Sequence, residues 1–193
     1  MSRLTTSFVL GYHGCERGLA EEVVLGREQL KPSKSRYHWL GKGIYFWEAD
    51  AQRGLEWARG RPAARKLKEP CVIGAIIDMR NCLDLRSREN VGLVAAAYEL
   101  LKYETQLAGM EMPENQTAPN DLSPDKVMRR LDCAVIDRLH EMVAEIGREP
   151  FDTVRALFHE GAEIYEGSGF RDKTHSEIAV RNTDCILGYF IPR

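Results

Sequence analysis

The sequence predicts an α+β domain, and three observations carry that prediction. Segments with strand character gather toward both ends of the chain. Two amphipathic helices fill its centre, and no repeat or low-complexity tract interrupts the order. At 193 residues the chain suits a single domain, 1–193, with a helical insertion at about 86–147 and enough residues for a sizeable core.

The elements follow in order. Residues 7–13, SFVLGYH, read as a strand, and CERGLAEEVVLG as a short amphipathic helix closed by Gly26. REQLKPSKSRYHWLG is a polar loop with two aromatics that leads into LGKGIYFWEAD, where Gly41 and Gly43 flank a lysine before Ile44-Tyr45-Phe46-Trp47. Glycine weakens a strand, so two of them here fit either an ordinary edge strand with a Gly-rich turn or close approach of something to the backbone. Asp50 is placed to cap a helix with Ala51, Leu55 and Ala58 at helical spacing, interrupted at Gly60-Arg61-Pro62. CVIGAIIDM is a near-continuous apolar run, predicting a central strand covered on both faces. The insertion begins with Leu93, Ala97 and Leu100 beside Val94, Tyr98 and Leu101, a broad apolar helical stripe. After a linker-like GMEMPENQTAPND, Ser123-Pro124-Asp125 predicts a second helix start, with Val127, Leu131, Val135, Leu139, Met142 and Ile146 as its buried face and Gly147 as its end. Strand character returns in FDTVRALF, THSEIAVRN and CILGYFIP, with the loop HEGAEIYEGSGFRDK between the first two.

Composition narrows the functional classes. Apolar content of 44% and charged content of 29% are ordinary for a globular chain, and a formal net charge of −2 gives no global drive toward nucleic acid or anionic membrane. Any such partner must be met by a local patch. Cys15, Cys71, Cys82, Cys133 and Cys185 are odd in number, scattered and free of C-x-x-C spacing. That predicts reduced thiols in a cytoplasmic protein and no zinc site, and the five histidines show no ligand spacing. No apolar run is long enough for a signal peptide or a bilayer span, so no membrane partner is expected.

Strand alternation isolates three polar side chains beside small neighbours: His13 with Gly11 and Gly14, Tyr45 with Gly43, and Glu177 with Ala179. Each is predicted to lie on a non-core face, with Ile44, Phe46, Ile178 and Val180 turned into the core. Singly, each residue type has an ordinary structural use. The combination is stronger than its parts, but spacing alone names no reaction.

The segments YHG, GKGIYF and SEIAVRN…CILGYFI resemble, in order, the three signature segments of ADP-ribosyltransferases with a His-Tyr-Glu triad, the class of the poly(ADP-ribose) polymerase catalytic domain and diphtheria-type toxins. The likeness covers about half of the chain and is closest in GKGIYF. It implies an ADP-ribosyltransferase-like mixed-sheet core and NAD as co-substrate without a metal. It further implies that His13 bonds the NAD ribose, the Gly14 backbone holds the nicotinamide carboxamide, Tyr45 stacks on nicotinamide, Glu177 is the catalytic glutamate and Trp57 supplies a second stacking aromatic. Ser33 and Arg36, with Lys34, fall in the loop that covers the donor in that family. The family's small hydroxyl residue falls near Arg53 or Gly54 here, so nicotinamide recognition is expected to differ. No polymerase-type regulatory helices precede the core, which argues for transfer of single ADP-ribose units over chain extension.

The expected activity is therefore mono-ADP-ribosylation of a macromolecule, as in a bacterial toxin or defence effector, with an antitoxin protein as a further partner. NAD glycohydrolysis and inactive binding of NAD or ADP-ribose stay open, because all three use the same donor site. Acceptor contacts are expected from the loop before Glu177. Phe170 is suited to stacking, Arg171 to pairing with an anion, and His175, two residues before Glu177 on the same strand face, to orienting a nucleophile. The basic cluster Arg59, Arg61, Arg65, Lys66 and Lys68 tilts the expected acceptor toward RNA or DNA over protein.

Overall fold

The computed structural model describes residues 8–33, 35, 38–60, 66–118 and 125–193. Expectations for Lys34, Arg36, Arg61, Arg65, Ser123 and Pro124 lie outside these residues. The elements are β1 (Phe8–Glu16), α1 (Arg17–Val24), β2 (Ile44–Glu48), α2 (Ala51–Arg59), β3 (Pro70–Asp78), β4 (Cys82–Asp84), α3 (Arg88–Leu107), β5 (Asn115–Gln116), β6 (Met128–Arg129), α4 (Arg130–Glu145), β7 (Thr153–Phe158), β8 (His175–Val180), a 3₁₀ turn (Thr183–Cys185) and β9 (Ile186–Phe190). The class is α+β, with a large mixed sheet in the order β4-β7-β8-β2-β1-β3-β9 and a small β5-β6 ribbon. Only β4 and β7 pair in parallel in the large sheet.

The joint between β1 and β2 shapes the molecule. β1 and β3 pair continuously from Phe8↔Asp78 to Glu16↔Pro70, whereas β1 and β2 share only Gly11↔Glu48 and Tyr12↔Trp47. Beyond Tyr12 the sheet forks into two half-sheets, β4-β7-β8-β2 and β1-β3-β9.

Both faces of the sheet carry core, so the expected non-core face is corrected. On one face Ile44, Phe46, Ile73, Ala75, Ile77, Ile178 and Val180 pack under α1 through Ala20 and Val23. On the other, Leu83, Val154, Ala156 and Ala179 pack under Val135, Ile136, Leu139 and Val143 of α4 and Ala97 of α3. His13 pairs with Ile73 and so shares the first face, whereas Tyr45 pairs with Ala179 and lies on the second. They meet because the strands part between them.

Several boundaries depart from expectation. β1 runs on to Glu16, since its pairing with β3 persists through Cys15↔Cys71. β3 is one strand in from the edge, and Ile76 on its outer face is 38% exposed. Residues 125–127 are not helical, and α4 starts at Arg130 because its cap comes from elsewhere in the chain. The Asn115 side-chain oxygen accepts from Leu131 N at 3.0 Å and Asp132 N at 3.3 Å. Ile146, assigned to the buried face, is exposed. Asp50 does cap α2, its carboxylate accepting from Arg53 N at 2.8 Å.

Candidate active site

A cleft of about 640 Å³ opens at the fork, within the range of small-molecule sites. His13 comes from β1, Tyr45 and Trp47 from β2, Arg53 and Trp57 from α2, Phe158 from β7, and His175 and Glu177 from β8. Lys31, Ser33, His38 and Trp39 line it from the loop before β2, and Ala118, Val127 and Met128 from around the β5-β6 ribbon. Its walls are aromatic, and Trp47 lies 5.6 Å from Trp57 between ring centroids.

Register places the carboxylate. Trp47 pairs with Glu177, and Glu177 pairs with Ala156 on β7, so the glutamate rises between a large ring and a small one-carbon side chain. Glu177 Oε2 accepts from Trp39 Nε1 at 2.5 Å, and Oε1 faces His175 Nε2 at 3.4 Å. Arg53 and Glu160 form an ion pair at 2.7 Å at the side of the cleft, with side chains 18% and 15% exposed.

His13 Nδ1 lies 2.8 Å from the Tyr45 carbonyl, which can only accept, so Nδ1 carries a proton. Tyr45 is held at its far end: its hydroxyl donates to Gly41 O at 2.8 Å and accepts from Leu40 N at 2.9 Å. Burial, reinforced by the charge of Glu177, pushes this phenol well above its ordinary range. Burial lowers His38 below its ordinary value, against the opposing pull of Glu177.

The glycines in LGKGIYF answer to the protein's own chain. Gly41 has φ +75°, and a Cβ on Gly43 would meet Val180 O at 3.0 Å and Ala179 Cβ at 3.1 Å. A turn accounts for Gly41 and the close approach of β8 for Gly43, which also lines the cleft. Gly14 is a packing glycine too. A Cβ there would run into the Gly54 carbonyl of α2, and Gly14 is not among the cleft-lining residues.

The structure thus gathers His13, Ser33, Tyr45, Trp57, His175 and Glu177 into one cleft and leaves Gly14 beneath α2. Phe170 and Arg171 do not line it. Phe170 stands 68% exposed, and Arg171 Nη1 donates to Gly161 O at 2.8 Å within its own loop. His175 is turned inward, its side chain 3% exposed and its ring stacked on Phe158 at 5.4 Å. Burial works against its charge, but the Glu177 carboxylate and the Lys173 carbonyl hold its pKa above the ordinary histidine value. Sequence reasoning missed Trp39, Phe158 and Glu160, and met Arg53 only as a position where the family's small hydroxyl residue falls. The two aromatics noted in the loop before β2 were the one available hint of Trp39.

Among the described residues no group of His, Cys, Asp and Glu is arranged to hold a metal, and no helix is long and apolar enough to cross a membrane. An uncharacterized protein of Methanocaldococcus jannaschii is 35% identical over 94 residues, 47% of this chain. The aligned stretch spans 43% of that relative's own length. No family profile and no solved structure matches the chain.

Proposed function

We propose that the chain is an NAD-dependent mono-ADP-ribosyltransferase with an ADP-ribosyltransferase-like core. One observation carries the reading: the imidazole, phenol ring and carboxylate that the sequence resemblance singles out, on three separate strands, line one aromatic-walled cleft. The cleft also suits the dinucleotide. It has rings for a flat base, Lys31 and Ser33 at one side for phosphate, and a carboxylate for ribose hydroxyls.

In this reading NAD binds with nicotinamide against Tyr45 and its ribose at Glu177, and His13 contacts the adjoining ribose. The C–N bond between ribose and nicotinamide breaks, and its electron pair leaves with the ring, which becomes neutral nicotinamide. Positive charge develops at the anomeric carbon, as in glycoside hydrolysis. Glu177 stabilises that charge through a carboxylate already fixed in place, an effect that lowers barriers by several kcal/mol. An oxygen or nitrogen of the acceptor then bonds to the anomeric carbon and releases its proton. The acceptor is a macromolecule, nucleic acid ahead of protein, because exposed Arg59 ends α2 beside Gly60 of the cleft lining, with exposed Lys66 and Lys68 nearby in sequence.

Labelled NAD tests the proposal. The expected result is nicotinamide release with label on RNA, DNA or protein from cells. Glu177→Gln is expected to cut turnover by about 100-fold or more while NAD binding changes little, since the carboxylate acts mainly in the transition state. Release of free ADP-ribose alone would make the chain a glycohydrolase, and neither product would end the enzyme reading.

A further inference from the structure

Both oxygens of Glu177 are engaged by ring N–H groups, and the rings that engage them are braced by the helical insertion. Trp39 Nε1, a donor only, points at Oε2 from 2.5 Å, and His175 Nε2 points at Oε1 from 3.4 Å. His175 Nδ1 lies 2.7 Å from Lys173 O. Both ring nitrogens of His175 therefore face groups that only accept, and both contacts are satisfied when the ring holds two protons. Glu160 lies 3.9 Å from Nδ1, and Arg53 reaches this pocket through Glu160.

The two clamping rings share one support. Phe158 meets Trp39 edge-on at 5.0 Å and stacks on His175 at 5.4 Å. The Arg129 guanidinium lies 4.5 Å from the Phe158 centroid and 5.5 Å from that of Trp39. Arg129 is itself tied to Asp132 at 3.1 Å, whose other oxygen accepts from Asn115 at 2.8 Å. Arg129, Asp132 and Asn115 all belong to the insertion.

We infer that Trp39 is a positioning residue for Glu177, fixing the carboxylate through its indole N–H, and that Arg129 carries the insertion's support to that contact. This rests on the transferase reading for its catalytic consequence, but not for the contact itself. Each carboxylate oxygen keeps a second lone pair for a ribose hydroxyl, so the clamp orients the acid without blocking it. A loose carboxylate would lose transition-state contact while the aromatic walls still bound NAD.

Two measurements on the full chain separate the clamp from the reaction. With NAD as substrate, Trp39→Phe is expected to lower kcat about 10- to 100-fold with KM changed less than about threefold. Arg129→Lys, which keeps the charge and loses the flat stack, is expected to give a smaller loss in kcat. A Trp39→Phe enzyme with wild-type kcat overturns the proposal. Independently of activity, the indole N–H resonance of Trp39, assigned by its disappearance in Trp39→Phe, should lie downfield and move in Glu177→Ala. If the wild-type protein releases no nicotinamide, the transferase reading fails and the resonance alone decides the clamp. A Trp39 resonance that ignores Glu177→Ala overturns it.

Discussion

Tyr45 shows how one side chain serves two ends. Its hydroxyl closes the Gly41 turn through Leu40 N and Gly41 O, while its ring lines the cleft. The two functions separate by substitution. Tyr45→Phe leaves the ring and orphans the Leu40 amide, so unfolding free energy should fall by about 1–2 kcal/mol while NAD affinity stays within about threefold. If NAD binds as proposed, Tyr45→Ala should also weaken its binding, because stacking operates in the ground state. Urea unfolding and calorimetric titration measure the two effects, and equal binding losses in both variants would place the hydroxyl, not the ring, at the ligand. The sequence made Tyr45 and Glu177 legible because strand alternation set each beside a small neighbour. It singled out His13 too but not that His13 reaches the cleft from the opposite face to Tyr45, since the face of a residue in β1 says nothing about where two strands part. It could not reveal Trp39, which acts from a loop 138 positions away from Glu177.

Among the elements, α4 was legible in its periodicity but not in its start. Val135 and Leu139 are buried as the stripe predicted, while the Asn115 cap reaches the helix from a ribbon that no local pattern marks. The helix is also buried more broadly than one stripe, and this encloses His140. Neither His140 nitrogen finds a hydrogen-bond partner among the described residues, and the ring meets Phe151 edge-on at 5.8 Å. Burial first, then the charge of Arg181, lowers its pKa from 6.5 to about 3. The unfolded chain therefore takes up this proton before the folded one does. The contribution of neutral His140 to stability is full above pH 6.5 and drains as pH falls from 6.5 toward about 3. His140→Leu should flatten the acid side of the stability profile over that window. It should also raise stability at neutral pH by about 1–2 kcal/mol, because a buried unpaired polar ring is replaced by an apolar group. Urea midpoints at several pH values check this, and parallel profiles for the two proteins would show that His140 reaches solvent.

For the molecule as a whole, the question is whether the insertion is an appendage or part of the fold. The packing joins them. Leu83, Val154, Ala156 and Ala179 of the sheet share one core with Ala97 of α3 and Val135, Ile136, Leu139 and Val143 of α4. Arg138, 8% exposed, clasps Glu104 of α3 through two contacts of 2.8 Å, so the two helices are also fastened to each other. A core shared in this way should melt once. The natural reporters lie in different places: the three tryptophans line the cleft, whereas α3 and α4, of 20 and 16 residues, hold most of the described α-helix. Tryptophan fluorescence and helical circular dichroism should therefore trace coincident urea transitions. Leu139→Asp, which buries an unpaired carboxylate at a fully enclosed position, should cost about 4 kcal/mol or more and lower both transitions together. If helicity were lost first while the tryptophan signal held, the sheet would be a domain in its own right. The cleft would then owe the insertion the wall formed by Ala118, Val127 and Met128 and the Arg129 brace on Trp39 and Phe158, but not its fold.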